Sequence, residues 1–242
     1  MRLEYRQLYR QGRYADAAQA AERAVRAAER EFGPADSNLM DTLNELGLIY
    51  QVLKKYDRAL SPIERALAIC EKAHGPESKE YAEVLNTLGK NYQGQEKYVE
   101  AEETYLKALA ISERILPAND PQLGMLLNNL GNLYSDQDRY EEAEPYLERS
   151  LEIIEEKAGL NDTDLAHVLN NLAVVEKELG KYDEALMLYE RSLGIFERGL
   201  GEDHPLVGTT LENLALLYDR KGWKEEAEEA RARARRIRSG GP

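Results

Sequence analysis

The sequence of 242 residues has little of what disulfide-rich, membrane or secreted proteins need. Cys70 is its only cysteine, which excludes an intrachain disulfide or a cysteine-rich metal site and favours a reducing compartment. No run of about 18 apolar residues occurs, and the start MRLEYRQLYRQGRY has no apolar core. We therefore expect neither a membrane span nor a secretory signal, and we expect a cytoplasmic protein.

Positive charge and histidine are also scarce. The 32 Lys and Arg residues are outnumbered by 45 Asp and Glu residues, and the formal net charge of -13 opposes nonspecific binding to nucleic acid or anionic lipid. The histidines, His74, His167 and His204, lack the spacing of metal ligands, and no glycine-rich phosphate loop is present. We therefore expect no enzyme, no metal and no cofactor.

What the sequence does have is a motif that returns every 42 residues without slippage. A fixed period of this size is the signature of stacked structural repeats, which form an extended surface and not a dedicated reaction centre. The five copies are LNNLGNLY at Leu127–Tyr134, LNELGLIY at Leu43–Tyr50, LNTLGKNY at Leu85–Tyr92, LNNLAVVE at Leu169–Glu176 and LENLALLY at Leu211–Tyr218.

Two breaks divide each period into two helices. One break is a short turn that ends in an aromatic residue, as in DRY at 138–140, and the other is a polar loop, as in LPANDPQ at 116–122. Between the breaks, apolar residues keep helical spacing, as Leu127, Leu130 and Tyr134 do. No segment alternates polar and apolar residues over the length of a strand. The sequence therefore predicts an all-α chain of paired antiparallel helices.

Other residues predict where helices begin and where they touch. Asp120 and His204 each precede a proline, which the first turn of a helix accepts, so we expect helices to start there. A glycine inside a helix costs about 1 kcal/mol relative to alanine, so its recurrence needs a packing reason, which a close helix crossing supplies. The small residues that share this register are Gly47, Gly89, Gly131, Ala173 and Ala215.

The order of these leucine, glycine or alanine, tyrosine and alanine positions resembles the tetratricopeptide repeat. The 42-residue form resembles the repeats of kinesin light chains and their bacterial relatives, most fully at Gly201–Gly222. The resemblance implies a right-handed α-α superhelix, a solenoid of helix pairs with a concave groove. Glu176 departs from the tyrosine of the pattern, and Arg231 replaces an apolar residue.

We expect one array of about six repeats over residues 1–238, the first of them truncated, and a disordered tail over 239–242. The chain looks trimmed from something longer. The approximate limits of the repeats are 1–36, 37–78, 79–120, 121–162, 163–204 and 205–238.

By the same resemblance, the positions one, five and eight places after the first leucine of each repeat line the groove. These offsets form one stripe, separate from the core stripe, and Leu48 and Gln51 belong to it. A row of asparagines can bind the backbone of an extended peptide, because an amide both donates and accepts. The alternative is that these asparagines bond to neighbouring helices. The predicted groove residues are Asn44, Asn86, Lys90, Asn128, Asn132, Asn170, Val174, Lys177, Glu212 and Leu216.

We predict a non-enzymatic scaffold that binds a peptide segment of a partner protein in this groove, with no nucleic-acid or membrane partner. One alternative is an assembly or oligomerisation spacer that self-associates through the truncated N-terminal repeat. Another is a regulatory module of a larger, enzyme-containing protein. The basic last helix suits a solubilising cap, or else a docking site for an acidic segment. Its arginines are Arg231, Arg233, Arg235, Arg236 and Arg238.

Overall fold

The computed structural model describes residues 2–33, 36–157 and 162–240, and all regular structure in these residues is α-helical. The all-α prediction is therefore confirmed. The chain forms two compact units, Met1–Pro117 and Ala118–Pro242. Parts of two predicted loops, at 34–35 and 158–161, lie outside the described residues, as do residues 241–242 of the predicted tail.

The first unit, Met1–Pro117, contains three helix pairs within its described residues. The helices are α1 (Arg2–Arg10), α2 (Tyr14–Phe32), α3 (Ser37–Val52), α4 (Tyr56–His74), α5 (Lys79–Gly94) and α6 (Tyr98–Ile115). In each pair a first helix packs on a second helix, and the second helices α2 and α4 contact the first helix of the next pair. The first helices α3 and α5 also touch each other.

The second unit, Ala118–Pro242, repeats this arrangement in the part of it that is described. The helices are α7 (Pro121–Ser135), α8 (Tyr140–Lys157), α9 (Thr163–Glu178), α10 (Tyr182–Leu200), α11 (Pro205–Lys221) and α12 (Lys224–Ser239). Here the first helix α9 contacts both α7 and α11, the first helices on either side of it.

Two helices start where the prolines predict. Helix α7 begins at Pro121, and Oδ1 of Asp120 accepts a hydrogen bond of 2.9 Å from the Gln122 amide. Helix α11 begins at Pro205, and Nδ1 of His204 accepts a bond of 3.3 Å from the Leu206 amide. Such bonds satisfy amides that have no partner within the helix. Both predicted starts are confirmed.

The recurrent glycines mark close helix crossings, as the sequence predicts. A Cβ atom added to Gly89 would lie 2.6 Å from the ring of Tyr105, which is fully buried. A Cβ atom at Gly131 would overlap the side chain of Leu147, which is also fully buried. Each glycine therefore lets a large residue of the second helix lie directly against the backbone of the first.

The turn between the two helices of a pair keeps one conformation along the chain. Lys54, Glu96 and Asp138 occupy it with positive φ angles of 55°, 60° and 58°. The amide of the next residue then donates to the carbonyl five residues earlier, at 2.8 Å for Lys55 and 2.9 Å for Lys97. Because the turn is conserved in geometry, residues 42 apart occupy equivalent positions at one edge of their repeats.

The C-terminal helix is longer than the tail prediction implies. Ser239, the first residue of the predicted tail, is the last residue of α12, and Gly240 caps this helix in the left-handed conformation. Within the described parts of the chain, no helix combines the length and the apolar character that a bilayer crossing requires.

Candidate functional site

In the first unit, the first helices α1, α3 and α5 line a cavity of about 510 Å³, which we term the groove cavity. Lys90 of the predicted groove lies on its wall, and so do Leu48 and Gln51 from the same rows. The structure thus brings these three predicted residues together. The aromatic and aliphatic residues that complete the wall are Tyr5, Tyr9, Ile49, Val52 and Tyr56.

The groove cavity has both acidic and basic residues on its wall, and Glu45 is hydrogen-bonded within the first unit. Glu45 accepts hydrogen bonds from both the Tyr5 hydroxyl and the Arg6 guanidinium. Burial, followed by the Glu45 contact, raises the pKa of Tyr5 to about 12, so this hydroxyl stays protonated at neutral pH. Arg10 and Lys90 add two further cations to the wall. The cavity therefore joins an apolar floor to a wall with more positive than negative charge.

Some residues of the wall are accessible and others hold the helices together. Tyr9 is 39% exposed and Val52 is 43% exposed, so both offer apolar surface to a ligand. Gln51 instead donates from Nε2 to the Thr87 carbonyl at 2.8 Å, and so connects α3 to α5. Gln51 therefore serves the packing of the wall more than contact with a partner.

In the second unit, asparagines of the predicted row bond to the next first helix. Asn128 is only 5% exposed, and its Oδ1 accepts a hydrogen bond of 2.9 Å from Nδ2 of Asn171. In the same way, Oδ1 of Asn170 accepts from Nδ2 of Asn213 at 3.2 Å. These contacts follow the alternative that the sequence left open, in which the asparagines bond to neighbouring helices.

The asparagines of the first unit are less uniformly placed. Asn44 is partly buried, and its Oδ1 is shielded from solvent with no hydrogen-bond partner among the described residues; Asn86 is also partly buried. Sequence reasoning missed Asn91, which is fully buried although neither polar atom of its side chain finds a partner in the described parts of the chain. The sequence contained a signal for this burial, because the apolar residues Leu133 and Val175 occupy the register of Asn91 in other repeats.

The remaining predicted residues, all in the second unit, divide between interior and surface. Val174 packs against the apolar cluster that contains Tyr189. Lys177 is 7% exposed and lies 2.8 Å from a carboxylate oxygen of Glu178. The more accessible ones are Asn132 and Glu212, which are partly exposed, and Leu216, which is half-exposed.

A charged cluster at the end of α9 was also missed. Carboxylate oxygens of Glu144, Glu148 and Glu176 lie within 4.8 Å of one another. Glu176 is buried where other repeats have tyrosine, and its desolvation raises the pKa of its carboxyl group. The Lys181 ammonium bonds to Glu144 and lies 3.1 Å from Glu176. This cation therefore contacts two of the three carboxylates.

The tetratricopeptide repeat family matches this sequence along almost its whole length. The matches are five overlapping ranges, 6–72, 38–114, 86–156, 122–198 and 164–239. The chain belongs to the tetratricopeptide repeat family. The recognition drawn from the 42-residue motif is therefore confirmed, and comparison with curated proteins gave no match.

Solved structures of this family show the same fold. BtubC (BKLC) from P. vanneervenii is 25% identical, with a TM-score of 0.74 over 94% of this chain and 90% of that one. A putative kinesin light chain of P. anserina with nearly identical TPR-like repeats is 23% identical, with a TM-score of 0.68 over 85% and 97%. A Rap protein complexed with Competence and Sporulation Factor is 17% identical, with a TM-score of 0.69 over 98% and 73%.

The family match and the structural similarities together indicate the general class of protein. The tetratricopeptide array is a scaffold typical of protein–protein interaction, and it is generally not catalytic. The kinesin-light-chain-like character of the repeats, inferred from their 42-residue length, agrees with the structures that this chain resembles.

Proposed function

We propose that this chain is a non-enzymatic scaffold that binds a peptide segment of a partner protein on the face formed by its first helices. The groove cavity is the observation that carries this proposal. Its volume of about 510 Å³ falls within the roughly 300–1,000 Å³ of typical ligand pockets. Its apolar floor and polar rim also have the composition of such pockets.

The chemistry of the wall suits one apolar side chain with flanking backbone. Full burial of a leucine- or phenylalanine-sized side chain contributes about 1.5–3 kcal/mol, and Tyr9, Leu48 and Val52 provide the surface for it. The cations Arg10 and Lys90 can donate to carbonyl or carboxylate oxygens of the same segment. Partner contact at this site thus combines apolar anchoring with charge-assisted hydrogen bonds.

Within the predicted groove residues, we assign partner contact to accessible members of each unit taken by itself, Lys90 in the first unit and Asn132 and Leu216 in the second. We assign Asn128 and Asn170 to the packing of adjacent first helices, because their carbonyl groups are already engaged. The Rap complex with Competence and Sporulation Factor supports this kind of partner for the fold.

A peptide-array screen followed by two matched variants tests the proposal. Val52 lies in the groove cavity, whereas Val99 on α6 is 69% exposed outside it. We expect Val52→Asp to weaken binding of the selected peptides at least about tenfold, because a carboxylate replaces apolar contact surface. Val99→Asp makes the same change in charge and should leave the affinity, measured by fluorescence anisotropy, within about twofold.

Two results would overturn the groove assignment. One is an equal loss of affinity in the Val52→Asp and Val99→Asp variants. The other is unchanged affinity in Val52→Asp while circular dichroism shows that the variant is folded.

A further inference from the structure

We propose that the first unit has a second binding surface, at the turn edge of its repeats, which takes an acidic peptide segment. The site is a cavity of about 520 Å³ between the α3–α4 turn and the α5–α6 turn, which we term the turn cavity. Four cations line it, Lys54, Lys55, Arg58 and Lys97. Asp57 is the carboxylate among its lining residues.

The repeats themselves provide the comparison that makes this cavity unusual. The residue that follows each turn is a cation in five repeats, and we term these residues the turn cations. In three repeats the turn cation is neutralised locally. Arg13 donates to Asp16 at 2.8 Å, Arg139 donates to Glu142 at 2.7 Å, and Lys181 bonds to Glu144. The turn cations are Arg13, Lys55, Lys97, Arg139 and Lys181.

The two turn cations of the turn cavity lack such partners among the described residues. Glu100 follows Lys97 at the distance where Asp16 follows Arg13, but the two form no ion pair. Arg58 follows Lys55 at the distance where Asp16 follows Arg13. Leu60 precedes Lys97 at the distance where Glu144 precedes Lys181. Neither Lys55 nor Lys97 forms an ion pair with any described residue.

The other charges around the turn cavity leave its balance positive. Lys54 likewise has no ion pair within the described parts of the chain. Arg58 is partly offset, since it lies 2.9 Å from a carboxylate oxygen of Glu22 and stacks 4.7 Å from the ring centre of Tyr50. Asp57 opposes the lysines with one negative charge. Among the lining residues, three ammonium groups therefore face one carboxylate, while Glu96 and Glu100 lie near Lys97 in the sequence.

The net charge of the whole protein does not cancel this local positive charge. Charges that lie more than about 8 Å apart in water are largely screened at physiological ionic strength. A short segment at the turn cavity therefore responds to the nearby lysines more than to distant carboxylates. A long polyanion such as nucleic acid extends beyond the cavity and meets the acidic remainder of a chain with net charge -13. A segment with two or three carboxylates matches the cavity best.

Gln95 adds a second feature to the site. Its Nε2 is shielded from solvent and has no hydrogen-bond partner in the described residues, and the side chain lines the turn cavity. Shielded donors without a partner are uncommon in folded proteins, and a ligand oxygen would satisfy this one. Tyr56 lines both this cavity and the groove cavity, but the proposal does not depend on what the groove binds.

Labelled peptides of defined charge test the turn cavity. We expect a fluorescein-labelled peptide of six glutamates to bind in 50 mM salt, whereas the peptide of six glutamines does not. The variant Lys54→Gln/Lys55→Gln/Lys97→Gln should weaken the glutamate peptide at least about tenfold in fluorescence anisotropy, because it removes the unpaired cations. Circular dichroism verifies that the variant keeps its helices.

The matched control is the triple variant Arg13→Gln/Arg139→Gln/Lys181→Gln, which makes the same change in charge at paired turn cations. It should keep affinity within about twofold of the wild type. An equal loss of affinity for the glutamate peptide in both triple variants would reveal an effect of net charge and overturn the proposal. Unchanged affinity in the variant Lys54→Gln/Lys55→Gln/Lys97→Gln would also overturn it. Displacement by inorganic phosphate beyond that by chloride of equal ionic strength, or tighter binding of a single-stranded oligonucleotide, would also overturn the assignment to an acidic peptide.

Discussion

At the scale of single residues, the asparagine pairs show how buried polar groups are accommodated between repeats. Asn128 is nearly inaccessible, yet its carbonyl group is satisfied by the amide of Asn171 from the next first helix. Such a bond contributes only about 1 kcal/mol net, but an amide that loses its partner keeps the full cost of desolvation. The loss of one partner therefore costs more free energy of unfolding than the bond itself contributes.

We expect Asn128→Ala or Asn171→Ala to lower the free energy of unfolding by about 1–3 kcal/mol, because each leaves a buried or partly buried polar group without its partner. The double variant should cost less than the sum, with a coupling energy of about 0.5–3 kcal/mol. Urea denaturation followed by circular dichroism measures these values. Asn132→Ala, a partly exposed site in the same helix, is the control and should change stability by less than about 0.5 kcal/mol. Additive costs would show that the two side chains do not interact.

At the scale of helices, a single glycine register sets how closely the two helices of a pair approach. Gly131 lies directly against Leu147, and the space for a Cβ atom is already filled. Gly194, also inside a helix of the second unit, has only the flexible end of Arg198 near its missing Cβ, at 3.2 Å. Gly131 is therefore required by helix packing, whereas Gly194 carries only the conformational cost of a glycine inside a helix.

We expect Gly131→Ala to lower the free energy of unfolding by about 1–3 kcal/mol, because overpacking displaces a buried leucine. Gly194→Ala should raise it by about 0.5–1 kcal/mol, because alanine favours the helix and meets no rigid neighbour. Chemical denaturation of both variants measures the difference. Stabilisation by Gly131→Ala would contradict the close crossing.

These helices also show how far the sequence could be used for prediction. Helix starts at Pro121 and Pro205 were predictable because the signal is local. The accessibility of the groove rows was not predictable from the sequence, because it depends on how the first helix of the following repeat packs against them. Asn128 and Lys177 share a sequence stripe with Leu216, yet the first two are buried and the third is half-exposed. Nor could sequence spacing show that the turns of two adjacent repeats enclose a cavity.

At the scale of the whole molecule, the last helix carries arginine at two positions where the second helices α4, α6, α8 and α10 carry buried residues. Arg231 occupies the register of Leu147 and Tyr189, which are fully buried. Arg238 occupies the register of Phe196, which is also buried. These arginines instead bond to acidic residues of α11, Asp219 and Glu212. The arginine side chains remain 30% and 73% exposed, so α12 is polar at these two positions, and the solubilising cap stays a prediction.

We expect Arg231→Tyr/Arg238→Phe, which restores the residues of the preceding repeat, to increase self-association. The side chains of Arg231 and Arg238 are 30% and 73% exposed, so the change adds exposed apolar surface to α12, and such surface favours association. Light scattering over a range of protein concentrations measures the mass. Arg231→Gln/Arg238→Gln removes the same charges without adding apolar surface and should match the wild type. Equal association in both double variants would attribute the effect to lost charge.

The asparagine pairs have a consequence for how such an array can grow. The repeat that contains α9 carries both members, since Asn171 donates to the repeat before it and Asn170 accepts from the repeat after it. A tandem duplication of this repeat would place a donor opposite an acceptor without any further substitution. Each added copy would bring its own bond, so the length of the array can change in whole repeats while the contact between repeats is inherited intact.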